Sequence, residues 1–163
     1  MMKLQDRDIN IINYLEKYGG TIQQVADLYF KGNYVMADKR LLKLEKAKFL
    51  KGSLHPVLNR KVYHKGKLPS YHGLVAQEIY IKNIDIIDSF KREVKLDKKI
   101  VDILIVTKKL NVYVVEIDIF NKTSKQKIEE VKRYVKTKLN KEARIIILTK
   151  KDIDKKFIPT LTG

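Results

Sequence analysis

Residues 100–120 read Ile-Val-Asp-Ile-Leu-Ile-Val-Thr-Lys-Lys-Leu-Asn-Val-Tyr-Val-Val-Glu-Ile-Asp-Ile-Phe, and they decide the fold of the second half of the chain. Two apolar, largely β-branched runs flank a short polar break, which predicts strands over 100–107 and 112–120. Three acids interrupt these runs: Asp102, Glu116 and Asp118. An unpaired buried carboxylate is costly, so acids inside such strands indicate a chemical purpose.

The break at 108–110 fixes the predicted register of the two strands. If those residues form the turn, Thr107 pairs with Asn111 and Asp102 lies directly opposite Glu116. Opposed Cβ atoms are about 5 Å apart, so the two carboxylates repel unless a divalent cation, a proton or a basic side chain lies between them. Asp102 and Glu116 are therefore the candidate metal ligands, and Asp118 faces the same way.

The elements around this hairpin complete an αβββαβ order. Apolar spacing predicts a helix over 74–87 and a strand over 93–96 before the hairpin. After it, a Thr123-x-x-Gln126 capping box begins a long helix with a buried stripe. That stripe consists of Ile128, Val131, Val135 and Leu139. A fully apolar strand over 144–149 follows.

The first part of the chain has a different pattern, with three helices in quick succession and then a hairpin. The first helix is predicted over 6–18, with Ile9, Ile12 and Leu15 inward. A second helix begins after a cap at Thr21, and a third is predicted over 34–46 after Gly32-Asn33. Short strands over 48–51 and 61–64 bracket a basic loop. This order resembles a winged helix-turn-helix across residues 1–67, in which the third helix enters the major groove and the loop forms the wing.

The predicted third helix buries Ala37, Leu41 and Leu44 and presents a basic outer face. Lysine and arginine there suit phosphates and guanine edges of double-stranded DNA. The expected DNA-binding residues are Asn33, Tyr34, Lys39, Lys43 and Lys46 on this helix and its start, and Arg60 and Lys61 in the wing. The histidines at 55, 64 and 72 lack metal-ligand spacing, and those in the wing are expected to be polar surface residues.

Composition bounds the setting of the protein. The 163 residues carry a net charge of +16, which favours a polyanionic partner, although a lysine-rich composition bias is an alternative source of that charge. There is no cysteine, no signal-peptide pattern and no apolar run long enough for a membrane span, so a cytoplasmic protein is expected. Breaker residues at 65–70 predict domains over 1–67 and 70–163.

The acids and their order give the second domain a family resemblance. Asp102 followed by Glu116-Ile117-Asp118 resembles the core of PD-(D/E)xK nucleases, whose fold is also αβββαβ, and Glu78 matches an acid that this family often adds. The resemblance implies that Glu78, Asp102, Glu116 and Asp118 are the catalytic set and hold Mg²⁺ or Mn²⁺. The usual motif lysine is replaced by Asp118, which favours a non-catalytic chain. A lysine at 125 or 127 on the next helix is the alternative source of that charge.

The whole layout is similar to the replication-relaxation family of plasmids and mobile elements. That resemblance implies an accessory role in plasmid mobilisation, within a relaxosome during conjugation, or in replication, with a relaxase or a replication initiator as partner. Two-fold DNA sites are usual for winged helices, so a homodimer is expected, with Leu42 as a candidate contact.

Three alternatives remain open at this point. The chain is a metal-dependent DNA endonuclease or nickase, or a transcriptional regulator with a ligand-sensing second domain. The purely structural alternative for the three acids of the hairpin is a salt-bridged sheet face, in which they pair with Lys99, Lys125 or Arg133.

Overall fold

The computed structural model describes residues 2–156 and 158–163, and it is an α+β structure with two antiparallel or mixed sheets. Contacts divide the chain into two units, residues 1–81 and residues 82–163. The elements of the first unit are α1 (Asp6–Lys17), β1 (Gly20–Thr21), α2 (Ile22–Tyr29), α3 (Tyr34–Lys46), β2 (Lys51–Leu54), β3 (Lys61–His64) and α4 (Tyr71–Lys82), whose last residue belongs to the second unit. The elements of the second unit are β4 (Ile87–Leu96), β5 (Lys99–Thr107), β6 (Val112–Asp118), α5 (Lys125–Leu139), β7 (Ala143–Thr149) and α6 (Lys150–Asp154).

The helices of the first unit begin at polar caps and pack through one apolar face. Thr21 Oγ1 accepts from the Gln24 backbone N–H at 3.1 Å, so the predicted cap of α2 is confirmed. The predicted bounds of α3 are also confirmed, and its Ala37, Leu41 and Leu44 are fully buried. The prediction for α1 was wrong in one position, because Ile9 is 46% exposed and Ile11 takes its place in the core.

A buried ion pair holds α1 against α3. The Asp8 side chain is inaccessible to solvent, and Arg40 donates to it through Nε at 2.7 Å and through a second guanidinium nitrogen. Asp8 also accepts from the backbone N–H of Gln5, which closes the first turn of α1. The Arg40 side chain thereby lowers the pKa of Asp8, and the two helices are fixed to one another.

The small sheet of the first unit has the strand order β1-β3-β2. The prediction placed the first hairpin strand at 48–51, whereas β2 covers Lys51–Leu54 and pairs with β3 in antiparallel register. Lys48 lies in a left-handed turn (φ 64°) that ends α3, so extended pairing begins only after it. A two-residue β1, which the sequence did not predict, pairs with the other edge of β3.

Helix α4 packs with the elements before it. The fully buried side chain of Gln24 donates to the Leu74 carbonyl at 2.9 Å, and Tyr14 Oη donates to Gln77 at 3.0 Å. These bonds join α4 to the first unit, which ends at residue 81, whereas the breaker residues predicted domains of 1–67 and 70–163. The helix prediction of 74–87 also extended too far, since Ile87 already begins β4.

The second unit contains a four-stranded sheet with the order β4-β5-β6-β7, in which only β6 and β7 are parallel. The predicted order αβββαβ is present in α4, β4, β5, β6, α5 and β7. Strand β4 is longer than predicted, because it pairs with β5 in one register from Ser89 to Leu96 and, after a register shift, also at Ile87. Val131 and Val135 of α5 pack on Val112 and Val114, so the helix covers the face of β6 that carries the even-numbered residues.

None of the helices in the described ranges is both long enough and apolar enough to cross a membrane.

Candidate functional site

The hairpin of β5 and β6 has the register that the sequence predicts. Ile103 pairs with Val115 and Val106 with Val112, and the Thr107 backbone N–H donates to the Asn111 carbonyl at 2.9 Å. Continuing this register by one residue sets Asp102 against Glu116. The structure therefore brings the two predicted metal ligands together on the face covered by α5.

Asp102 and Glu116 differ in their surroundings. Asp102 is half-buried, and its Oδ2 accepts from the Ile117 backbone N–H at 2.6 Å. Glu116 is 4% exposed, and its Oε1 receives no well-aligned hydrogen bond from any described residue. A carboxylate that is both buried and short of donors is costly in its charged form.

Lys127 of α5 supplies the positive charge at this site. Its Nζ lies 2.9 Å from Glu116 Oε1, close enough for an ion pair although the geometry is not that of a hydrogen bond. Lys127 stands one and two helical turns before Val131 and Val135, which explains why it points toward the sheet. The sequence offered Lys125 and Lys127 as alternative sources of this positive charge. Lys125 is exposed, and Lys127 is the lysine that contacts Glu116.

Burial raises the pKa of Glu116 from its ordinary 4.5 to about 7. The nearby Lys127 opposes this rise, and the negative charge of Asp102 adds to it. The pKa of Glu116 is thus close to neutral pH, and it depends on the charges placed near Asp102 and Glu116.

Asp118 has a structural partner. Its two oxygens accept from the backbone N–H of Thr123 at 2.7 Å and from the Thr123 hydroxyl at 2.6 Å. The predicted capping box at Thr123 was therefore wrong by one residue: Ser124 is the cap of α5 and accepts from the Lys127 backbone N–H. Asp118 holds the loop that leads from β6 into α5.

Glu78 lies on α4 in the first unit and is also engaged there. Its Oε1 accepts from the Gln24 side-chain amide at 2.9 Å, and burial raises the pKa of its carboxyl group. Within residues 2–156 and 158–163, no three acids or histidines converge on a point that would hold a metal ion. The acidic site of the second unit is thus a pair of carboxylates with one lysine.

The predicted ion pairs of the acids with Lys99, Lys125 or Arg133 are not formed in the described part of the chain. Lys99 contacts Glu130 at 3.7 Å, and Glu116 pairs with Lys127. A salt-bridged face is present at this position, with a different lysine from those that the sequence suggested.

The predicted DNA-binding residues of the first unit lie mostly on the surface of α3. Asn33 caps the helix by accepting from the Met36 backbone N–H at 3.2 Å, and Tyr34 beside it is 47% exposed. The three predicted lysines of α3 are all exposed, and none takes part in an ion pair among the described residues. They are Lys39, Lys43 and Lys46, at positions i, i+4 and i+7, so they form one stripe opposite the buried face.

The loop over 55–60 between β2 and β3, which is the predicted wing, and the start of β3 carry two predicted DNA contacts, of which one is on the surface. Arg60 is exposed, whereas Lys61 is half-buried in β3 and pairs with Glu45 at 2.7 Å. This ion pair lowers the pKa of Glu45. Lys61 also lies 4.8 Å from the centre of the Tyr63 ring. The role of Lys61 in DNA binding stays a prediction, and its side chain is engaged by Glu45 in this structure.

The two wing histidines are buried, so their prediction as surface residues was wrong. His55 accepts from two backbone N–H groups of its own loop through Nδ1, and its Nε2 lies 2.9 Å from the Pro69 carbonyl. His64 lies between the Ser53 hydroxyl and the Gly66 carbonyl, at 2.8 and 2.7 Å. These bonds fix the ends of the β2–β3 hairpin.

No family model matches this sequence, and no curated protein matches it. Among solved structures, a repair endonuclease from Pyrococcus abyssi matches with 18% sequence identity and a TM-score of 0.34. The match covers 69% of this chain and 65% of that protein, so the chain spans slightly less than two thirds of the endonuclease. A likeness of this size assigns no function, which must come from the residues of the two units.

Proposed function

We propose that the chain binds double-stranded DNA through a winged helix-turn-helix in its first 67 residues, with α3 as the recognition helix. The observation that carries this proposal is the stripe of Lys39, Lys43 and Lys46, which is exposed and free of ion pairs among the described residues. Each of these lysines that meets a phosphate releases a counterion and adds affinity.

The start of α3 suits contact with base edges. Val35 is 60% exposed and Met36 is 51% exposed, and both lie beside Lys39 at the end of the helix that enters the groove in this class of domain. Apolar side chains in the major groove contact the thymine methyl group. Arg60 on the wing adds a backbone or minor-groove contact.

The biological setting that we propose is an accessory factor in mobilisation or replication of a plasmid or mobile element, acting as a homodimer beside a relaxase or initiator. The resemblance of the domain order to the replication-relaxation family supports this setting. Leu42, 36% exposed on α3, is the residue to substitute first in a test of dimerisation.

The binding proposal is tested by selecting a duplex from a random library and measuring its affinity as a function of salt. Lys39→Ala with Lys43→Ala should lower the slope of log K against log salt by about 2, since each phosphate contact contributes about 0.9. The matched control is Lys3→Ala with Lys17→Ala, exposed lysines near the two ends of α1. Equal slopes in both double variants would refute α3 as the recognition helix.

A second candidate function, a metal-dependent DNA endonuclease, is favoured by the buried Glu116 beside Asp102, because Glu116 Oε1 lies 2.9 Å from Lys127 Nζ but receives no well-aligned hydrogen bond from a described residue. Mg²⁺ commonly uses one or two protein carboxylates and keeps its waters, so this pair fits a Mg²⁺ or Mn²⁺ ion. Asp102 and Glu116 would hold the ion, which lowers the pKa of bound water and neutralises phosphate charge. Lys127 on α5 would supply the positive charge beside Glu116. In the PD-(D/E)xK motif this charge comes from a lysine two residues after the second acid, a position that Asp118 occupies in this chain.

Incubation of supercoiled plasmid with the protein and Mn²⁺ separates the two candidates. A nuclease nicks the plasmid, and Asp102→Ala and Lys127→Met each abolish nicking. Glu129→Gln, an exposed acid on the same helix as Lys127, leaves nicking unchanged. Intact plasmid with the wild-type protein, or nicking that survives Asp102→Ala, would rule out this active site.

A further inference from the structure

A cleft of about 490 Å³ opens in the second unit between the β4–β5 turn and the second half of α5. Leu96 and Tyr134, which pack with the core of this unit, form part of its lining. Asp97 adopts a left-handed conformation (φ 57°) that turns the chain sharply at one wall. The shape of the cleft is therefore set by core packing and by a tight turn.

The rim of this cleft is basic. Its cationic residues are Lys98, Lys99, Arg133 and Lys138, against the acids Asp97 and Glu130. Lys99 is partly neutralised by Glu130 at 3.7 Å, but no ion pair among the described residues uses the other three cations. Lys98, Arg133 and Lys138 are exposed, so their charges face solvent without a fixed counter-ion.

The surroundings extend this positive surface. Helix α5 contains six lysines and arginines against two glutamates, and residues 82–163 contain 21 basic against 12 acidic residues. A rise of 1.5 Å per residue separates Arg133 from Lys138 by about 7.5 Å along the helix. One strand of DNA carries a charge about every 3.4 Å along its axis, so the two side chains span about two phosphates.

We propose that this basic cleft binds the phosphodiester backbone of nucleic acid, as a second contact separate from α3. The inference rests on the proposed function for the choice of duplex DNA as ligand. Charge favours a backbone, because Lys98, Arg133 and Lys138 at the cleft are exposed and phosphate contacts are made largely by lysine and arginine. Glu130 at the cleft and Lys127 at the carboxylate pair are three residues apart on α5, so a bound strand would lie about one helical turn from Glu116.

The test uses the full chain and the same selected duplex. Arg133→Gln with Lys138→Gln should lower the salt slope by about 2 and weaken binding about tenfold or more at moderate salt. The matched control, Lys108→Gln with Lys109→Gln, removes two exposed lysines after the opposite end of β5 and should keep more than half of the affinity. Equal losses in the two variants would mean that net charge alone matters and would overturn the cleft assignment.

Two further readouts separate the cleft from the recognition helix. Titration of isotopically labelled protein with the duplex should shift the backbone amide signals of Lys98 and Arg133, and unchanged signals at both residues would refute the cleft. The cleft assignment would also be refuted if the Lys39→Ala and Lys43→Ala variant lost DNA binding and the Arg133→Gln and Lys138→Gln variant did not. The proposed function would then still stand. The reverse pattern would refute the recognition helix and keep the cleft.

Discussion

Glu116→Gln should remove a pH dependence of stability that the wild-type protein carries. Glu116 is 4% exposed, and burial raises its pKa from 4.5 to about 7. The folded state therefore holds this proton more tightly than the unfolded state, and the associated stability is fully present below about pH 4.5. It is lost as the pH rises through 7.

The size of the effect follows from the two pKa values. Each pKa unit corresponds to about 1.4 kcal/mol, so a rise from 4.5 to about 7 makes the wild type lose about 3 kcal/mol between pH 4 and pH 8. The glutamine variant keeps the shape of the side chain and has no proton to lose. Its free energy of unfolding relative to wild type should therefore rise by about 3 kcal/mol across the same range.

Urea unfolding followed by circular dichroism at several pH values measures this difference, with Glu129→Gln as the exposed control on α5. Carboxyl carbon shifts in the folded protein give the Glu116 titration directly. A titration midpoint near 4.5, or a wild-type-minus-variant difference that stays constant with pH, would refute the claim that Glu116 is destabilised by burial.

Three other substitutions test neighbouring parts of the structure. Lys127→Met should raise the pKa of Glu116 above that of the wild type in the same carbon titration, because it removes the cation 2.9 Å away; an unchanged midpoint would show that the pair is not formed in solution. Arg40→Met should destabilise the first unit by about 3–5 kcal/mol in urea unfolding at neutral pH, since the buried Asp8 loses its counter-charge. That loss should shrink as the pH falls and Asp8 becomes protonated in the folded variant, because Arg40 no longer lowers the pKa of Asp8 there; a pH-independent loss would contradict the ion pair. Asp118→Ala should cost about 1–3 kcal/mol by leaving the loop before α5 without its acceptor, and it should leave DNA binding by α3 unchanged; a stability equal to wild type would contradict a structural role.

The parts of the fold that the sequence predicts well are those fixed by local chemistry. Asn33 and the spacing of Ala37, Leu41 and Leu44 gave both ends of α3 and its buried face, since cap and periodicity agree there. The register of β5 against β6 followed from the turn at 108–110 alone.

The parts that were missed depend on contacts distant in sequence. Strand β1 has two residues and exists because β3 offers a free edge, which no local pattern reveals. The extent of β4 depends on its pairing with β5, and the packing of α4 with the first unit uses the side chain of Gln24, 50 residues before its partner Leu74. Propensity describes a segment, whereas these features belong to pairs of segments.

The site shows the same division. The facing of Asp102 and Glu116 followed from the predicted turn register, whereas the choice of Lys127 over Lys125 follows from the face of α5 that Val131 and Val135 bury against the sheet. The ion pair of Lys61 with Glu45 could not be predicted from the sequence either, because it depends on how α3 packs against β3.

The bond from the Gln24 amide to the Leu74 carbonyl has a consequence for dissecting the chain into fragments. A fragment that ends at residue 67 keeps α1, α2, α3 and the β2–β3 hairpin, yet it leaves the buried amide of Gln24 and the aromatic hydroxyl of Tyr14 facing water where α4 had covered them. A fragment that ends at residue 81 retains both partners. Of these two fragments, the longer one is therefore the better piece in which to study the proposed DNA-binding half by itself.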